Sequence, residues 1–91
     1  MRESEIEKYL VKRVKELGGE VRKVKWIGRR GAPDRLVMLP NYWLHRVLWV
    51  ELKATGKVPE PHQYREHKRL AAMGQRVVVI DSIGGVDALL A

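Results

Sequence analysis

Near the middle of the chain, Trp49-Val50-Glu51-Leu52-Lys53 sets an acid and an amine two positions apart, at the end of a segment that otherwise reads as core. A strand sends alternate side chains to opposite faces, so Leu48, Val50 and Leu52 share one face while Trp49, Glu51 and Lys53 share the other. Upstream, Asp34 follows Gly31-Ala32-Pro33, where the proline holds its predecessor extended and the glycine permits an otherwise strained turn. In an antiparallel hairpin the start of the first strand lies beside the end of the second, which brings Asp34 to Glu51 and Lys53. Two carboxylates so placed repel each other unless a cation sits between them, and oxygen-only ligation favours magnesium or manganese over zinc. Such a metal polarises a phosphoryl oxygen and activates water, which suits phosphodiester hydrolysis. Lys53, whose charge the flanking acids favour, is expected to orient the attacking water and stabilise phosphoryl charge rather than to serve as a general base. Taken singly, Asp34 reads as a turn residue and Glu51 with Lys53 as an exposed ion pair worth under about 1 kcal/mol. Their joint placement favours chemistry.

The elements that must position these groups follow from periodicity. Ile6, Leu10, Val14 and Leu17 recur at helix spacing and Gly18-Gly19 stops the run, which predicts an amphipathic helix over 3–17. Residues 20–27 alternate imperfectly and read as a strand running into the loop GRRGAPD. Residues 34–53 read as a hairpin, with a turn at Pro40 to Trp43, and ATGKVPEP as a loop. Helix spacing resumes from His62 to Met73, and the apolar run QRVVVI reads as a strand covered on both faces, before a short helix over 85–90. The expectation is a single α/β domain spanning 1–91, with a small central mixed sheet flanked by helices in the order α-β-β-β-α-β.

Composition limits the chemistry further. Ninety-one residues leave room for one core, and the longest apolar run, Val77 to Ile80, falls far short of the ~20 residues of a membrane span. The charged start MRESEIEKYL has no signal-peptide core, so a soluble protein with an intracellular, cytoplasmic address is expected and no membrane partner. With no cysteine, disulfides, thiolate zinc sites and thiol nucleophiles are excluded. A net charge of +7 from 18 basic and 11 acidic residues favours a polyanionic partner, nucleic acid first.

The order Gly31-Ala32-Pro33-Asp34-Arg35-Leu36-Val37, then Trp49-Val50-Glu51-Leu52-Lys53-Ala54, then Gln63 opening a helix, resembles the virus-type replication-repair nuclease domain (VRR-NUC) of the PD-(D/E)XK superfamily, across nearly the whole chain. The resemblance implies a restriction-endonuclease-like fold. It implies that Asp34, Glu51 and the Leu52 backbone carbonyl hold Mg2+ or Mn2+, that Lys53 is catalytic and that Gln63 supports the site. It also implies an acid on the first helix. Of Glu3, Glu5 and Glu7, helix geometry puts Glu3 inside the apolar stripe, Glu5 away from it and Glu7 at its border, so Glu3 is expected to complete the site. A glutamate there also suits the helix dipole.

Arg29, Arg30 and Arg35 bracket the Gly-Pro-Asp loop and are candidates to grip phosphates, with Lys23 and Lys25 before them and Lys57, Arg65, Lys68 and Arg69 near the second helix. His62 and His67, five apart, do not share a helical face and read as surface groups, and His45 as structural. Trp26, Trp43 and Trp49 read as core or interface residues, and the turn Asn41-Tyr42-Trp43 also as a wedge into DNA or a partner contact. The expected activity is a metal-dependent endonuclease, cutting branched DNA such as four-way (Holliday) junctions without base-sequence readout, as a homodimer of phage or prokaryotic source. The competing readings are a non-catalytic DNA-binding module, a restriction-type nuclease subunit and an interaction adaptor.

Overall fold

The computed structural model describes residues 1–40 and 47–91. Helix α1 spans Glu3–Glu16, followed by strands β1 (Glu20–Lys23), β2 (Arg35–Met38) and β3 (Val47–Leu52), helix α2 (Pro61–Ala72), strand β4 (Val77–Ile80) and helix α3 (Ile83–Leu89). The described strands form one mixed sheet in the order β1-β2-β3-β4, antiparallel through β3, with β4 parallel to β3. The expected α/β architecture and element order are therefore present.

The helix stripe does what its spacing predicts. Ile6, Leu10 and Val14 are fully buried, and α1 packs on β1, β3 and α3. Against them stand Val37 from β2, Leu48, Val50 and Leu52 from β3, and Ile80 and Val86 further on. Each such side chain contributes about 1.5–3 kcal/mol by leaving water. Tyr9 on α1 donates to Asp87 on α3 at 2.6 Å, fixing the two helices together.

Two elements differ from their sequence expectations. The first strand ends at Lys23 instead of reaching Ile27, although Val24 still donates to the Asp34 carbonyl at 2.8 Å. Trp26 stays near the sheet through its side chain, its ring centroid 4.9 Å from that of Trp49. The alternation continues in sequence because the indole needs the sheet face, while the backbone has already left it. β4 is not covered on both faces: it is an edge strand, and Val79 is 42% exposed. The expected turn at Asn41-Tyr42-Trp43 and the structural role for His45 lie outside the described residues.

Candidate active site

Register decides what meets at the end of the hairpin. Arg35 pairs with Val50 and Leu36 with Trp49, so one further step along the ladder sets Asp34 opposite Glu51. Directly opposed residues of an antiparallel pair point to the same face, which gives Asp34, Glu51 and Lys53 the face away from α1. The Asp34 backbone is held by the Val24 N–H at its carbonyl, and the Trp26 Nε1–H donates to the preceding Pro33 carbonyl at 2.7 Å. The acid therefore sits on a fixed backbone with a half-exposed side chain.

Helix α2 covers the end of β3. Its first turn begins with Pro61, whose missing N–H costs nothing at that position, and Gln63 Oε1 accepts from the Glu60 N–H at 2.7 Å. The same oxygen accepts from Lys53 Nζ at 2.9 Å, while Gln63 Nε2 lies 3.3 Å from Glu51 Oε2. One glutamine thus links the helix start, the lysine and the acid. Lys53 Nζ is also 3.6 Å from Glu51 Oε2.

Glu51 is 9% exposed. Burial pushes its carboxyl above the usual range; Lys53 pulls it back, and the negative charges of Asp34 and Glu3 push it further up. Glu3 is brought to this end of the sheet because the Thr55 N–H, just past β3, donates to the Met1 carbonyl at 3.0 Å. Its side chain is exposed, so the expectation that it sits on a buried edge is corrected: at the first turn of α1 it projects beyond the sheet. Glu5 is occupied as a cap, accepting from the Arg2 N–H at 3.2 Å, and Glu7 is bound by the Arg35 guanidinium. The charge of Glu3 is among the leading influences on Glu51.

The basic residues divide. Arg35 is turned to the α1 face, 12% exposed, tied to Glu7 with Nη1 2.8 Å from Asp34 Oδ1, and so is placed as an internal tie between α1 and the hairpin instead of a phosphate grip. Lys23, Lys25, Trp26 and Arg29 line a cleft of about 500 Å³ that reaches Asp34. Arg29 is half exposed but also donates to Glu66 through Nε at 3.2 Å and Nη2 at 2.6 Å. Glu66, 3% exposed, accepts from Arg69 as well, and the two guanidinium groups hold its carboxyl down at about 2. This pair pins the Gly31-bearing loop to α2. Arg30 and Lys57 are exposed. The loop lies so close to the helix that a Cβ on Gly31, whose φ is +85°, would stand 2.9 Å from the His62 carbonyl and 3.1 Å from Gln63 Cα.

His67 corrects its expected surface placement. It is 8% exposed, with Nε2 3.6 Å from Glu51 Oε1. Burial and the nearby Lys53 charge push its pKa down. The signal lay in its spacing from Gln63: four residues apart, the two share a helix face, whereas the pairing with His62 was uninformative.

The family suggested by the motif implies a divalent metal, and the donors fit one. Asp34, Glu51 and Glu3 offer hard oxygen ligands, and the Glu51 carboxylate, disfavoured by burial and further by the charges of Asp34 and Glu3 despite Lys53, would be relieved by a cation. Among the described residues no three acidic or imidazole side chains are gathered tightly enough to cage an ion, so the set is open as it stands. Asp34 and Glu3 retain the exposure needed to turn.

The mixed sheet, with two acids and a lysine at one end of its hairpin and a helical glutamine beside them, has the fold of known nuclease-type proteins. A solved structure described as a VRR_NUC domain superposes with a TM-score of 0.85 at 43% identity, covering 97% of this chain and 92% of that one. The curated "Putative nuclease p44" of Acyrthosiphon pisum secondary endosymbiont phage 1 is 51% identical over 82 residues, 90% of this chain and 85% of the relative. No family model matches. The chain belongs to the VRR-NUC nuclease family.

Proposed function

We propose that the protein is a Mg2+- or Mn2+-dependent endonuclease that cuts branched DNA, four-way junctions among its substrates, as a homodimer. The observation that carries this reading is the hydrogen-bonded set of Glu51, Lys53 and Gln63, with the charges of Asp34 and Glu3 acting on Glu51 and Asp34 also lining a basic cleft. In this reading Glu3, Asp34, Glu51 and the Leu52 carbonyl hold the cation, which supplies Lewis acidity toward a phosphoryl oxygen and makes water a better nucleophile. Lys53, fixed by Gln63, orients the attacking water and stabilises the negative charge that grows on the phosphoryl group. Lys23, Lys25, Arg29, Arg30 and Lys57 neutralise the flanking phosphates without reading bases.

Support for a dimer comes from the sheet face on which Trp49 lies. Leu36, Met38 and Val77 are only half covered there, and Val47 and Val79 are 55% and 42% exposed. A two-fold copy covering this face would set two sites for paired cuts. Among the described residues no helix is long and apolar enough to cross a membrane, and an intracellular, phage or prokaryotic setting fits the phage relative.

The test is a panel of end-labelled linear, flap, splayed and four-way DNAs incubated with Mg2+, Mn2+ or EDTA. Cleavage of branched DNA in metal and none in EDTA is expected. Stable binding without cutting, across the panel and both metals, would replace the reading with a binding module.

A further inference from the structure

Nε2 of His67 is sheltered from solvent and has no hydrogen-bond partner among the described residues, although it stands only 3.6 Å from Glu51 Oε1. A buried polar atom left in this state keeps its desolvation penalty without a compensating bond, and native proteins keep few of them. The side chain leaves α2 one turn after Gln63, on the same face, and the two address different oxygens of one carboxylate: Gln63 Nε2 faces Oε2 at 3.3 Å, His67 Nε2 faces Oε1. Closing the second gap to hydrogen-bond length takes a movement of about 0.6 Å, well within side-chain adjustment.

Resting on the nuclease reading of this site, we propose that His67 is a positioning residue: its Nε2–H donates to Glu51 Oε1 and, together with Gln63 at Oε2, fixes the plane of the carboxylate that receives the divalent cation. Neither group touches the scissile phosphate. The helix acts as a two-point clamp that sets where the remaining lone pairs of Glu51 are aimed. A carboxylate gripped at one oxygen alone turns about its terminal bond, which has a broad torsional well, and a cation bound to it would follow that motion.

Two measurements decide the matter. In metal-free protein, imidazole 15N NMR should show His67 as the Nε2–H tautomer, with a resonance that moves in Glu51→Gln; the Nδ1–H tautomer would overturn the proposal whatever the protein's activity. The second compares wild type, His67→Leu and His67→Gln in steady-state cleavage and in Mn2+ calorimetry without DNA. Leucine fills the space without a donor, whereas the glutamine amide nitrogen falls near the position of Nε2. His67→Leu should lose about 10–100-fold in kcat and in Mn2+ affinity, with KM for DNA and the metal-free melting temperature nearly unchanged, and His67→Gln should recover most of both losses. Wild-type kcat and Mn2+ affinity in His67→Leu would make the imidazole a packing group and end the proposal, as would a folded His67→Gln no better than leucine. If wild type neither binds Mn2+ nor cuts, the nuclease reading fails on its own, and the tautomer alone rules on the contact.

Discussion

Replacing Glu51 by glutamine removes a charge and almost no volume, and its effect on stability should reverse with metal. The carboxylate is 9% exposed and its pKa is raised, chiefly by burial, with Asp34 and Glu3 adding to the shift against the pull of Lys53. An acid whose folded pKa lies above its unfolded one binds protons more readily when folded, so its ionisation works against folding as pH rises past the ordinary 4.5. At pH 7 in EDTA, Glu51→Gln should therefore be the more stable protein. The gain is on the order of 1 kcal/mol, the lower end of what an under-satisfied buried polar group costs. For a domain of this size that raises the melting temperature by about 4–8 °C. Near pH 4 the wild-type acid is itself mostly protonated and the difference should vanish. With metal at a hundred times its dissociation constant, wild type gains about 2.7 kcal/mol and the glutamine variant much less, so the order inverts. Thermal melts followed by circular dichroism at both pH values, with EDTA and with Mg2+ or Mn2+, give all the needed comparisons. A Glu51→Gln protein melting well below wild type in EDTA, or the same metal-induced rise in both, would refute the argument.

Other substitutions probe separate parts. Asp34→Asn and Lys53→Ala should abolish cleavage in a labelled-junction assay while circular dichroism stays native; a collapsed spectrum would mark them as structural. Among Glu3→Gln, Glu5→Gln and Glu7→Gln, cleavage titrated against Mg2+ should need most extra metal for Glu3, and a defect confined to Glu5 would mean that α1 is wrongly placed against the site. Glu66, held at about 2 by Arg29 and Arg69, contributes stability that is full above the ordinary 4.5 and lost as pH falls toward 2, so Glu66→Gln should melt lower than wild type at pH 7 and converge with it near pH 2. Light scattering should give twice the chain mass, and a strict monomer at working concentration would rule out paired cutting by a preformed dimer.

The site was legible where one rule acted alone. Strand alternation fixed the shared face of Glu51 and Lys53, and hairpin geometry brought Asp34 to them, because each depends on period two and on nothing distant. The same alternation, applied one residue further, turns Arg35 to the opposite face, where Glu7 receives it; the cluster of three arginines in sequence obscured this. The burial of His67 does not follow from its spacing to His62, because its informative neighbour on the helix is Gln63. For β4 the apolar run predicts two-sided burial, but α2 and the parallel neighbour leave Val79 partly open at the sheet edge. Such features belong to tertiary packing, and no local pattern carries them.

Gly31 works as a spacer of zero thickness. The two halves of the site ride on different parts of the chain, the loop that delivers Asp34 and the helix that delivers Gln63 and His67, and at Gly31 those parts meet with no room for a methyl group. Their separation is thus gauged by a missing atom, and the Arg29–Glu66 pair ties the same loop to the same helix. A single added carbon would wedge the assembly open like grit in a hinge, misaligning groups that it never touches while leaving every one of them in the sequence.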